Sequence, residues 1–208
     1  MAVSAPASGY PVPAATVRAE EVIQGSRFIA SLGFAPTAEA ARAFIGGVRA
    51  EFPDATHNCW AFVAGPPGST SSIGMSDSGE PHGTAGRPML DVLLHSGVGD
   101  IAAVVTRYFG GTRLGTGGLV RAYGGAVQHA LAELQTIQRV ERIVLAVDAG
   151  YHDVVRLRRL LEQVGADVLE EVFGEAVRYR AAVPVSALEQ FEAGVADLSA
   201  GKARISRE

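Results

Sequence analysis

Residues 16–23 and 27–34 alternate apolar and polar positions on either side of Gly25, and this pattern predicts a β-hairpin. After Thr37, a residue suited to capping, Ala41, Phe44, Ile45, Val48 and Phe52 recur at helical spacing until Pro53. His57–Val63 reads as a strand with His57 and Cys59 on one face and Asn58, Trp60 and Phe62 on the other. Residues 65–72 form a Gly/Pro/Ser loop, and residues 73–75 suit a brief strand. Pro88 fits the first turn of a helix whose buried stripe is Met89, Leu90, Leu93 and Leu94, closed by Gly97. The nearly continuous apolar start of residues 101–108 predicts a strand covered on both faces. A long helix is expected from about residue 118 to 134, with Gly124 and Gly125 accommodating close packing on the sheet.

A second unit follows from about residue 137. Strands at residues 142–148, 168–173, 176–183 and 203–206 alternate with helices at 151–164 and from a Ser186 cap onward. The order β-α-β-β-α-β is that of a ferredoxin-like domain. The expected fold class is therefore α+β in two domains, residues 17–136 and 137–208, behind a flexible Ala/Pro/Ser-rich tail, residues 1–16.

Composition narrows the function. The 208 residues carry a net charge of −4, so attraction to nucleic acid has to rest on a local patch. Cys59 is the one cysteine, which excludes an intramolecular disulfide and points to a reducing, cytoplasmic setting. No apolar run suffices to cross a bilayer, so no membrane role is expected.

The candidate chemistry lies in two segments. In R-Y-F-G-G-T-R-L-G-T-G-G-L-V-R-A-Y, residues 107–123, arginines and aromatics interleave with glycines where a strand hands over to a helix. Bare backbone and a helix N-terminus attract anions, and arginine adds a permanent donor fork. Arg107, Tyr108, Gly110, Gly111, Arg113, Gly115, Gly117, Gly118 and Arg121 are the candidate phosphate ligands, with Arg87 and Thr84 from the neighbouring loop. The plainer arrangement pairs the arginines with Asp77, Glu80, Asp91 or Asp100. The absence of a Gly-Lys-Ser/Thr sequence excludes a P-loop, and no acidic residue stands where a dinucleotide site needs one. The second segment, D-S-G-E-P-H-G-T-A-G, holds Asp77, Glu80 and His82, an alternative acid–base set for a hydrolase or transferase. No metal site and no cofactor is expected.

These residues resemble the YigZ/IMPACT family. The resemblance is carried by Ser26–Arg27–Phe28–Ile29, by Ala55–Thr56–His57–Asn58–Cys59–Trp60, by Ser76–Asp77–Ser78–Gly79–Glu80–Pro81 with Gly83–Thr84–Ala85–Gly86, and by residues 105–111 and 114–123. The family pattern usually has a second Asp where this chain has Ser78, which weakens any role for adjacent carboxylates. The resemblance implies the short bacterial form. It implies a first domain like the second domain of a small-subunit ribosomal protein and a second like the last domain of elongation factor G. It also implies a link to translation, with RNA or the ribosome as the expected partner and docking on another protein as the alternative.

Overall fold

The computed structural model describes residues 9–207, so residues 1–8, half of the expected tail, lie outside the described residues. The chain divides into two compact units, Tyr10–Gln138 and the residues from Arg139 onward.

The first unit is built on a five-stranded antiparallel sheet in the order β2-β3-β6-β4-β5. Its strands are β2 (Val17–Ile23), β3 (Ser26–Phe34), β4 (His57–Val63), β5 (Ile73–Ser76) and β6 (Ile101–Tyr108). The β2–β3 hairpin turns through Gln24 and Gly25, both at positive φ, the two-residue geometry whose twist matches its flanking strands. Central β6 is buried along seven of its eight residues because helices cover both faces. Helix α1 (Ala38–Glu51) packs Ala41, Ile45 and Val48 on one face, over Phe62, Ala102 and Val104. The Thr37 hydroxyl accepts from the Ala40 N–H and caps this helix. Helices α2 (Gly86–His95) and α3 (Gly115–Ala132) cover the opposite face, over Phe28, Leu32, Cys59, Ala103 and Val105.

Four expectations need correction in this unit. Tyr10–Pro13, assigned to the tail, is strand β1, and it pairs with the unexpected strand β7 (Thr136–Arg139). Tyr10 anchors this ribbon by donating its hydroxyl to Asp100. Helix α3 begins at Gly115, three residues earlier than expected, so Gly115, Gly117 and Gly118 form its first turn. Close packing does not account for Gly124 or Gly125. A methyl at Gly124 would meet Pro88 and Val92 at an ordinary 3.8 Å, and one at Gly125 would meet nothing within 4 Å.

The second unit has the strand order β11-β8-β10-β9, all antiparallel, which is the ferredoxin-like arrangement. Its elements are β8 (Arg142–Ala149), α4 (Val154–Gln163), β9 (Asp167–Phe173), β10 (Val177–Pro184), α5 (Leu188–Leu198) and β11 (Arg204–Arg207). Leu145, Val147, Tyr179, Val183, Leu157, Leu161 and Phe191 fill its core. Both helices are preceded by a 3-10 turn, so Ser186 lies in the Val185–Ala187 turn rather than capping α5. Edge strand β9 exposes Val168, Leu169, Val172 and Phe173, and Tyr151 stacks against Phe173. This is the apolar surface that a protein-docking role would use. No helix among the described residues is long and apolar enough to cross a membrane.

Because Gly125 carries a helix-propensity cost without a packing reason, Gly125→Ala is expected to stabilise the protein by about 1 kcal/mol. Chemical denaturation of the two proteins measures it.

Candidate functional site

Sheet register puts Phe28, Arg107 and His57 in one row across β3, β6 and β4, on the face beneath α2 and α3. Arg107 is 5% exposed. Its Nη1 donates to Glu80 Oε1 at 2.6 Å and its Nη2 to Ser26 Oγ at 3.2 Å. The guanidinium lies 5.4 Å from the Phe28 ring centre and 5.5 Å from that of Phe109, within cation–π range of both. Tyr123 of α3 donates its hydroxyl to the same Glu80 Oε1 at 2.8 Å. Burial first, then the neighbouring Cys59 and Glu80, push the Tyr123 phenol far up, which keeps it a neutral donor. The side chain of Glu80 is only 4% exposed, so its charge is met by Arg107 in a largely dry setting.

The loop between β5 and α2 is organised by Asp77. Its Oδ2 accepts from the Gly83 N–H at 2.8 Å, and its Oδ1 accepts from those of Ala85 at 3.0 Å and Gly86 at 2.9 Å. Burial raises the pKa of this carboxyl. The N–H groups of Gly83, Gly86 and Ala85, helped by His82, outweigh that and hold it below the ordinary carboxylate value. Ser78, at positive φ, offers its carbonyl to His57 Nδ1 at 3.0 Å. A carbonyl can only accept, so Nδ1 is the donor, and in the tautomer with its proton on Nδ1 alone the lone pair is left on Nε2. Nε2 lies 3.9 Å from Glu80 Oε1.

Beside this cluster is a cavity of about 330 Å3. His57, Glu80, Pro81 and Arg107 line one part of it; Phe109, Arg113, Leu114, Gly115, Thr116 and Leu119 line the rest. The first turn of α3 therefore faces the cavity, and no side chain caps it. Arg113 and Arg121 are exposed and pair with no carboxylate among the described residues. Gly111 and Gly115 take positive φ, and a methyl on either would meet nothing within 4 Å.

The structure thus divides the sequence-predicted residues. Arg113, Gly115, Gly117, Gly118 and Arg121 belong to the exposed start of α3 or its approach. Arg107 is not a free cation, because Glu80 neutralises it. Tyr108 points to the other face of the sheet, donates to Asp54 and lies under Arg27. Gly110 is glycine for packing: a methyl there would lie 1.9 Å from the Gly25 backbone. Arg87 pairs with Asp91 one helical turn on. Thr84 is buried and donates its hydroxyl to the Pro81 carbonyl.

The acid–base alternative does not assemble as expected. Asp77 spends its carboxylate on backbone N–H groups, Glu80 faces inward, and His82 is fully exposed. Neither Asp77 nor His82 lines the cavity. His57, which the sequence placed on one strand face with Cys59, does line it. Burial pushes the Cys59 thiol up to about 12, and it donates to the Asp77 carbonyl at 2.8 Å. No group of three or more potential ligands that could hold a metal occurs among the described residues.

Comparison with known proteins agrees with the mixed α/β fold in two domains. Residues 24–131 match the Impact N-terminal domain, and residues 147–202 match a domain of unknown function, DUF1949. The chain belongs to the IMPACT family. It is 45% identical to the IMPACT family member YigZ of Escherichia coli over 93% of this chain and 95% of that protein. It is 36% identical to the IMPACT family member YvyE of Bacillus subtilis over 89% and 85%. A crystal structure of a hypothetical protein, 44% identical, matches with a TM-score of 0.69 over 95% of this chain and 96% of that one.

Two measurements test this anatomy. Asp77→Ala is expected to cost about 2 kcal/mol near neutral pH, as the loss of a strong helix cap does. The lowered folded pKa makes this contribution complete above the unfolded value of 3.8 and progressively lost as pH falls below it, so the gap to the parent protein should close in acid. Cys59 should resist thiol reagents at pH 8 in the folded protein and react fully in denaturant, by titration with a chromogenic disulfide.

Proposed function

We propose that this protein binds single-stranded RNA, in keeping with a role in translation, and holds phosphates at the start of α3. One observation carries the reading: the uncapped first turn of α3, the unpaired Arg113 and the exposed ring of Phe109 meet at a single cavity. Exposed N–H groups and the helix dipole favour an anion there. Arg113 and Arg121 add unneutralised positive charge on a molecule that is acidic overall. Phe109 is 48% exposed, leaving part of its ring for stacking on a base. The cavity has the size of a small-molecule site and suits one unstacked nucleotide better than the side of a duplex. The translational and ribosomal setting rests on the family resemblance and on fold analogy. A cytoplasmic location is part of the same proposal.

The reading assigns different work to the three arginines. Fluorescence anisotropy with a labelled oligoribonucleotide should give log affinity falling linearly with log salt. Arg113→Ala and Arg121→Ala should each shrink that slope by about 0.7, the value for a single-strand contact. Arg107→Ala should instead cost about 3 kcal/mol of folding stability, because it strands Glu80 without its charge partner. Binding that is absent, or indifferent to salt, overturns the proposal.

A further inference from the structure

We propose that the cavity floor recognises a ribose 2′-hydroxyl, so that the site selects RNA over DNA. This inference rests on the phosphate reading above and adds what lies beneath the phosphate.

Glu80 carries the argument. Its side chain is 4% exposed and lines the cavity, yet only Oε1 is engaged, by Arg107 and Tyr123. Oε2 has no hydrogen-bond partner among the described residues. Oε2 is not sealed from solvent, and because Glu80 lines the cavity a ligand donor can take the place of water on it. In the tautomer with its proton on Nδ1, His57 supplies a second acceptor. With Nδ1 donating to Ser78, its Nε2 lone pair stands beside Glu80, and His57 lines the same cavity.

The charges decide which donor fits. Arg107 already offsets Glu80, so the floor is a pair of acceptors with little net charge and has no strong pull on an ammonium group. A phosphate offers only acceptors to the acceptors of the floor, and its charge is met at the rim by Arg113 and the α3 N-terminus. A neutral hydroxyl attached next to a phosphate meets both demands. In a nucleic acid that group is the ribose 2′-hydroxyl, the atom that separates RNA from DNA. Apolar walls from Phe109, Leu114 and Leu119 suit the base and sugar faces.

The test compares one short oligoribonucleotide with its 2′-deoxy and 2′-O-methyl counterparts by anisotropy at fixed salt. The RNA should bind about tenfold tighter than either, the size of one hydrogen bond to a charged group. Glu80→Gln turns the free oxygen into a donor while its carbonyl can still accept from Arg107 and Tyr123, and it should collapse the RNA preference to within about twofold. Should that variant melt early, His57→Phe, at a position 20% exposed, removes the second acceptor and is expected to reduce the preference too.

Equal binding of RNA and DNA with a normal salt slope overturns the hydroxyl inference and leaves the phosphate reading standing. A 2′-O-methyl strand binding as well as RNA overturns it likewise, since sugar shape would then account for the preference. If no strand binds, the phosphate reading falls first and takes this inference with it. Adenosine monophosphate competing as well as the whole strand keeps the hydroxyl contact but overturns a polymer as the ligand.

Discussion

The arrangement of the first unit turns on one carboxylate oxygen, Glu80 Oε1, which takes hydrogen bonds from Arg107 on β6 and Tyr123 on α3. The donors and the acceptor come from a strand, a helix and a loop separated by up to 43 residues in sequence. Withdrawing two charges from water is expensive, so such a pair is weak evidence of a net gain in stability. Its clearer effect is geometric. The β5–α2 loop cannot lift without stranding Arg107 inside, and α3 cannot slide without losing the Tyr123 bond. Phe28, edge-to-face with Tyr123 and beneath the guanidinium, closes the other side.

A second constraint acts beside it. Asp77 gathers three N–H groups at the entry to α2 and so fixes the loop by its own backbone. Ser78 then sits in the left-handed region and presents its carbonyl to His57. That position contributes through its main chain. The resemblance-based expectation of a second Asp there fits this geometry, because Asp tolerates the left-handed conformation better than most residues. Two carboxylates close in sequence are thus separated by function: Asp77 shapes the loop, and Glu80 shapes the cavity.

Much of this fold could be read along the chain. The bounds of β4 and β6, the Thr37 cap and the ferredoxin-like order follow from periodicity and capping, which are local properties. The misses have non-local causes. Strand β1 is short and holds two prolines, and it exists because β7 and Asp100 supply its partners. The start of α3 was set too late because glycine has poor helix propensity, whereas the first turn tolerates it. The site was half legible. A dense run of glycines and arginines marks a special backbone, but only the register shows that Gly110 serves the Gly25 turn and that Arg107 faces Glu80. The expectation that these arginines share one task failed on the period of two in β6, which sends Arg107 inward and Tyr108 to the opposite face.

That inward turn also gives the cavity a polarity. Were Arg107 free, positive charge would reach from rim to floor, and a phosphate would have no preferred depth. With Arg107 matched to Glu80, the cation left unneutralised among the described residues lining the cavity is Arg113, on the approach to α3, with Arg121 further along that helix. Donors then stand at the mouth and acceptors at the floor, within one small volume walled by Phe109 and Leu119. In the proposed binding mode a ligand entering with its anion outward would meet complementary groups along its length, and the reversed ligand would place its anion against acceptors. On the proposed reading the ion pair would set the direction of binding without supplying a contact to the phosphate.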